Sequence, residues 1–236
     1  MAVLRPDDGA CRVAARNRTV TEAEKFPKQT IRLDCGDYVM RTVTVDDASD
    51  RWGRWLTDPV ATRMLNVRPK VHTKAELVSY VASFDQRTRI LLGTFKKDSG
   101  LHLGITKVDI DEKLGHARIS GLIGEPDYRR KGVSKAATLP FREYFFETLG
   151  LKMLLARPLS HNQPSINYLT TSGFHFDRKA PRAVKSFFDD TMLDLLYFSL
   201  SREAWRAWKM RNVLFGRSNP VPHEMLNQLI GLPPKR

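Results

Sequence analysis

Two clusters in this chain combine residue types and spacings that chemistry needs. In the first, Glu125-Pro126-Asp127-Tyr128-Arg129-Arg130-Lys131-Gly132-Val133-Ser134-Lys135 follows an apolar stretch, His116 to Ile123. It leads into Val133, Ala137, Phe141, Phe145 and Leu149, apolar at every fourth position. That order predicts strand, basic turn, helix. The first N–H groups of a helix have no acceptor inside it, and the helix dipole places positive charge there. A pyrophosphate fits such an end. Gly132 allows close backbone approach, and Arg129, Arg130, Lys131 and Lys135 put charge where an anion would sit. The plain alternative is a solvated basic loop before an ordinary helix. The second cluster is Asn162-Gln163-Pro164-Ser165, followed by Gly173-Phe174. It reads as the opening and the close of a helix that follows another strand.

Arg129-x-x-Gly132-x-Ser134 resembles the Gln/Arg-x-x-Gly-x-Gly/Ala signature by which N-acetyltransferases of the GNAT superfamily hold the pyrophosphate of coenzyme A. The second cluster resembles the other half of the same cofactor site. The resemblance covers residues 31–200 and implies an α+β fold, α/β/α layered. Its centre would be a mixed, mostly antiparallel twisted sheet of about seven strands flanked by helices. It implies acetyl-CoA as cofactor and direct transfer of the acetyl group to a primary amine, on a protein N-terminus or a small molecule. A strand–helix–Asp58-Pro59–helix opening and Asp194 before Leu195 to Leu200 resemble the ribosomal-protein serine/alanine N-terminal acetyltransferase subgroup. Ala136 stands where that subgroup often has glutamate, so the subgroup and the acceptor stay open.

The resemblance also implies roles. The pantetheine arm would lie along Leu122 and Ile123, where a backbone N–H serves as oxyanion donor. Amides from Arg129 to Ser134, Val133 included, would hold the pyrophosphate. Asn162 would hydrogen-bond the pantetheine arm, cap its helix, or both. Ser165 sits where the subgroup carries a serine proposed to protonate the departing thiolate. The tyrosine that many relatives use is replaced by Thr170-Thr171-Ser172, and Tyr168, on the same helical face as Ser165, is a substitute. Glu125 is the candidate base for the amine, or an ion-pair partner of the adjacent basic turn; a water relay would also suffice. The histidines form no metal-ligand spacing, and no metal is expected.

These residues need elements to position them. Ile31 to Val45 alternates as a strand. Asp46 or Asp47 is the expected N-cap of a helix carrying Trp52 and Trp55, and Asp58 to Lys70 is a linker or short helix. Thr73 and Glu76 have capping-box spacing before a helix with Leu77, Tyr80, Val81 and Phe84 on one face. Arg89–Lys96, Leu101–Ile110 and His116–Ile123 form an antiparallel meander. Pro140 should kink the central helix, which Gly150 ends. Leu151–Ala156 is a buried strand. Phe174 begins another, and Val184–Phe188 with Met192–Leu200 forms a hairpin around Asp189-Asp190. The acceptor pocket is expected from Asp58 to His72 and from Phe187 to Thr191.

The chain has 236 residues and a net charge of +13, with 42% hydrophobic and 28% charged residues. That is ample for one core. Residues 1–30 read as a flexible arm, 31–200 as the catalytic domain and 201–236 as a basic helical extension. The extension's Trp205 and Trp208 favour packing on the body or on a partner subunit, which makes a homodimer surface, over nucleic acid. No apolar run crosses a bilayer and no secretory leader is visible, so the expectation is cytoplasmic. Cys11 and Cys35 read as reduced thiols. The charge attracts polyanions non-specifically. Two alternatives follow: an acyl-CoA-binding domain that does no transfer, and a basic RNA- or ribosome-binding protein.

Overall fold

The structure, a computed structural model, describes residues 26–214. Most of the expected arm and the far part of the expected extension lie outside the described residues. One sheet of eight strands organises the fold, in the order β1-β2-β3-β4-β5-β6-β8-β7. The strands are β1 (Arg32–Cys35), β2 (Tyr38–Thr42), β3 (Arg89–Lys96), β4 (His102–Asp111), β5 (His116–Ile123), β6 (Met153–Ala156), β7 (His175–Lys185) and β8 (Met192–Ser201). Every neighbouring pair is antiparallel except β5 and β6. The strand beyond the expected seven comes from Ile31 to Val45, which breaks in two. Gly36 takes φ +70° and its N–H donates to Asp34 Oδ1, so the chain reverses between β1 and β2.

The helices are α1 (Asp50–Gly53), α2 (Pro59–Leu65), α3 (Lys74–Ala82), α4 (Val133–Arg142), α5 (Gln163–Thr171) and α6 (Arg202–Lys209). The expected cap at Asp46 or Asp47 is corrected: Ser49 caps α1, taking the Trp52 N–H on its hydroxyl. Asp47 instead closes the preceding short turn and holds Arg41 through two hydrogen bonds. The segment read as linker or short helix is helix α2, capped by Asp58. The Thr73–Glu76 capping box forms as expected, with Glu76 Oε2 accepting the Thr73 N–H at 2.9 Å. Pro140 lies in the last turns of α4, which runs on as π-type turns over 143–148 before Gly150 (φ +78°) stops it. β7 is longer than expected, because the Ala180–Val184 stretch that reads as a break is a register shift within the strand.

Side chains pack on both faces of the sheet. On one, α4, α5 and α6 cover a core containing Ile90, Leu92, Val108, Phe141, Phe145, Phe146, Leu154, Ile166 and Phe198. On the other, α1 and α3 cover Val43, Trp52, Trp55, Leu77, Val81 and Leu91. Phe26 belongs to the first core, so the described end of the expected arm is fastened to the body. So is the expected extension: Trp205 on α6 is fully buried there.

Candidate active site

The site forms where two parallel strands part. β5 and β6 pair only through His116–Met153, Ala117–Leu154 and Arg118–Leu155. β4 stays paired with β5 through Ile123. From Ile119 onward β5 therefore has a sheet neighbour on one side alone. Both strands run out into the same opening, β5 into the basic turn and α4, β6 into the segment that starts α5. Ends of adjacent parallel strands are where open sheets bind ligands.

The turn takes its shape from two left-handed residues, Arg130 (φ +61°) and Gly132 (φ +81°). Such alternation curls the backbone so that its N–H groups converge into an anion-sized hollow. The first α4 bond runs from Ala136 N–H to Gly132 O, which leaves the amides of Val133, Ser134 and Lys135 ahead of the helical ladder. Val133 is buried and anchors the helix, while Arg130, Lys131, Gly132, Ser134 and Lys135 are exposed. A Cβ built on Gly132 meets nothing within 4 Å, so that side is open.

Arg129 is placed differently from its neighbours. Its Nε donates to Ile123 O at 3.0 Å, a second nitrogen donates to Gly124 O at 3.2 Å, and a third pairs with Asp58. The side chain thus fastens the end of β5 to the start of α2, with its donors engaged inside the protein. Asp58 takes Arg129 on one oxygen and the Val60 N–H on the other. Burial pushes its carboxyl up, but these hydrogen bonds outweigh burial and hold it below the ordinary value.

Glu125 is buried, and one of its oxygens accepts from both Trp55 Nε1 (2.8 Å) and Arg51 Nε (2.9 Å). Its ion pair is therefore with Arg51 on α1 rather than with the adjacent basic turn. Burial raises its proton affinity, and the bonds from Arg51 and Trp55 more than offset this, so its pKa is lowered. Arg51, Arg54, Trp55, Thr57, Asp58, Gly124, Glu125 and Pro126 line an open cavity of about 510 Å³. Gly124 is required there, since a Cβ would run into the Trp55 ring.

Across the opening, Asn162 caps α5 by accepting the Ser165 N–H at 3.2 Å, and its Nδ2 donates to Met64 O at 3.2 Å. His161 Nε2 lies 2.9 Å from Arg63 O. Ser165 is half-buried in the first turn of α5. Tyr168 turns toward α4, its hydroxyl 3.0 Å from Thr138 Oγ1. Leu122 packs against the α1–α3 core. On β5, Gly124 N–H donates to Leu103 O, and alternation along a strand points the Ile123 amide to the opposite, open edge.

Helix α2 spans the mouth. Its N-terminus is tied to the turn through Asp58–Arg129 and its C-terminus to the α5 start through Met64–Asn162. Just beyond, Asn66 (φ +52°, buried) donates to Lys185 O and accepts the Phe187 N–H, both at 2.9 Å. Asp58 to His72 and the β7–β8 hairpin, the two segments expected to line the acceptor pocket, thus meet through Asn66. Arg51, Asn66 and Thr138 were not read from the sequence. Only Asp58 had a signal, the Asp-Pro pair; Asn66 reaches more than a hundred residues ahead to its partners.

A family model for an acetyltransferase (GNAT) domain matches residues 38–175, more than half of the chain. The chain belongs to the GNAT acetyltransferase family. Solved structures share the fold. A GCN5-related N-acetyltransferase from Brucella melitensis superposes with a TM-score of 0.67 at 18% identity, over 89% of this chain and 99% of that one. A ribosomal-protein alanine acetyltransferase from Vibrio fischeri gives 0.62 at 13%, over 74% and 98%. A spermidine N-acetyltransferase chimera that includes the Vibrio cholerae enzyme gives 0.62 at 14%, over 72% and 99%. No curated protein matches the chain. Among the described residues no group of His, Cys, Asp and Glu could hold a metal, and no helix of this acetyltransferase is long and apolar enough to cross a membrane.

Proposed function

We propose that this acetyltransferase domain transfers the acetyl group of acetyl-CoA directly to a primary amine, on a protein N-terminus or a small molecule. The observation that carries this reading is the parting of β5 from β6 beside the left-handed turn at Gly132. An extended pantetheine arm fits the edge of Ile119 to Ile123 that β6 leaves, where Arg129 already takes the Ile123 carbonyl and the Ile123 amide remains, and the amides ahead of α4 suit its pyrophosphate. Arg130, Lys131 and Lys135 add the charge, while Arg129 holds the ledge in place. Asn162 and Ser165 face the arm from the other side.

The thioester supplies the acyl group. The amine nitrogen attacks the carbonyl carbon, the oxyanion forms against the Ile123 amide, and the C–S bond then breaks. The thiolate leaves readily and takes its proton from Ser165 or water. Tyr168, engaged with Thr138, is a weaker candidate. The amine loses its proton to water leading to solvent; Glu125, with its lowered pKa and its bonds to Arg51 and Trp55, is a better clasp than base. That same engagement favours the second reading, an acyl-CoA-binding domain without transfer. The solved neighbours include both a ribosomal-protein and a spermidine acetyltransferase, so the fold alone does not choose the acceptor.

Thermal melting with and without acetyl-CoA tests the cofactor site. Ligand at about a hundred times its Kd stabilises by about 2.7 kcal/mol. Gly132→Asp meets no neighbouring atom but carries a side chain at a left-handed φ of +81°, so it should lower the melting temperature of the free protein, still unfold cooperatively, and lose the shift. No shift in the wild type overturns the proposal. A shift without acetyl transfer across an amine panel selects the second reading.

A further inference from the structure

The hairpin face beside the mouth carries apolar and charged groups that the transfer chemistry does not use. Phe187 and Phe188 are 51% and 37% exposed, and Met192 beside them 39%. Exposed aromatics at a loop tip are ordinarily mobile, yet this tip is pinned by the two Asn66 hydrogen bonds to Lys185 and Phe187. Two arginines from the α2 side lie over its rings: Arg63 over Phe188 at 5.5 Å and Arg68 over Phe187 at 5.8 Å. A guanidinium stacked on a ring keeps its N–H edge free for a carboxylate.

The nearby acids offset them only in part: Asp189 feels the charge of Arg63 but forms no ion pair with it. Asp189 folds back on its own turn, accepting from the Thr191 N–H and hydroxyl. Asp190 pairs with Lys185 at 3.5 Å. By contrast, Arg41, Arg51, Arg129 and Arg206 each face a carboxylate. Among the described residues, Arg63 and Arg68 make ring contacts but no ion pair. The face therefore offers apolar surface under a surplus of positive charge, with Arg63 only partly offset by Asp189 and Arg68 facing a ring alone, next to the opening proposed for the acceptor.

We infer that this face docks an acidic, partly apolar polypeptide segment, the part of the acceptor that follows its N-terminal amine. The inference rests on the acetyl-transfer reading for its amine but not for its binding surface. Charge complementarity chooses this occupant: a polyamine or a lysine-rich chain would meet two unpaired arginines, and like charges repel. Phenylalanine and methionine add contact area for leucine or phenylalanine side chains.

The test uses the full chain with coenzyme A and a short fluorescent peptide with a free N-terminus, rich in glutamate and leucine. Its counterpart has lysine in place of glutamate. Binding is read by anisotropy. The acidic peptide should bind at least about tenfold more tightly at low salt, with the margin narrowing as salt rises. The exposed double replacement Arg63→Glu/Arg68→Glu should erase the preference and leave the coenzyme A melting shift intact. Equal binding of the two peptides, tighter binding of the lysine peptide, or a preference that survives the double replacement overturns the inference. Absence of the melting shift would instead count against the acetyl-transfer reading, and the peptide comparison would still judge the surface.

Discussion

Each face of the sheet packs a pair of tryptophans, Trp208 alone of the four only partly buried, beside charged or titratable groups, and the two clusters work differently. Under α1, Trp52 and Trp55 surround His102, with ring centroids 5.1 and 4.9 Å away, while Phe95 stacks on it at 4.4 Å. There the Trp55 N–H serves the Glu125 carboxylate at the end of β5. Under α6, Trp205 and Trp208 stack at 5.8 Å beside Arg142, which is only 1% exposed. Among the described residues Arg142 faces no carboxylate: it donates to Ser172 O and Oγ and lies over Phe174, Trp205 and Trp208. Burial lowers its pKa, but an arginine starts so high that it stays charged. The first cluster is built of groups that titrate and adjoins the candidate site. The second is a charge-constant lock that fixes α4, α5 and α6 together at the end far from the turn.

The comparison predicts a ranking. Trp205→Ala removes the centre of the lock and should cost about 3–5 kcal/mol in urea unfolding. A loss below about 1 kcal/mol would show that α6 is peripheral.

Acid should act on the first cluster. Burial holds the His102 imidazole down to about 4 against an ordinary 6.5; Asp47 and Glu125 raise it and Arg41 lowers it further. Between those values the unfolded chain binds the proton that the folded chain refuses, so stability rises with pH. His102 should therefore cost roughly 3 kcal/mol as pH falls from 6.5 to about 4. Glu125, whose pKa is lowered from the ordinary 4.5, adds its own loss of the clasp as pH falls below that value. His102→Phe should flatten the upper part of the profile; an unchanged slope would remove the contrast between the clusters.

Glu125→Gln keeps an acceptor for Trp55 and removes the charge facing Arg51. The expected cost is about 1 kcal/mol, with kcat reduced less than about tenfold. A loss of about 10²–10⁴ in kcat, with a displaced pH profile, would make Glu125 the base instead. At the bottom of the ranking, Arg206→Ala breaks the exposed Arg206–Glu147 pair on α6. It should leave the urea midpoint where it is in the same measurement, and a clear shift would show that exposed pairs hold α6.

What was legible in the sequence was local. The basic turn at Gly132, the Thr73–Glu76 box and the Asn162 cap are specified by residues within a few positions of one another, and all form. Ser49 rather than Asp46 or Asp47 caps α1, because Asp47 is drawn away by Arg41 from the neighbouring strand. Gly36 divides a strand that alternation alone would leave whole. The links that shape the mouth are distant: Arg129 to Asp58, Glu125 to Arg51 and Trp55, and Asn66 to the hairpin. No spacing rule reports such pairs. No local pattern marks Arg142 out, because its burial comes from the distant packing of Phe174, Trp205 and Trp208 around it.

The half-paired stretch of β5 has one further consequence. A strand edge left open is adhesive, and proteins guard such edges against pairing with other chains. Here the guard is spatial: α2, tied down at both ends, and the start of α5 flank the gap left by β6. Something as broad as a neighbouring sheet is kept out, while a single extended thread can still lie down along it. The same geometry that leaves a bonding row unfinished thus sorts its partners by girth.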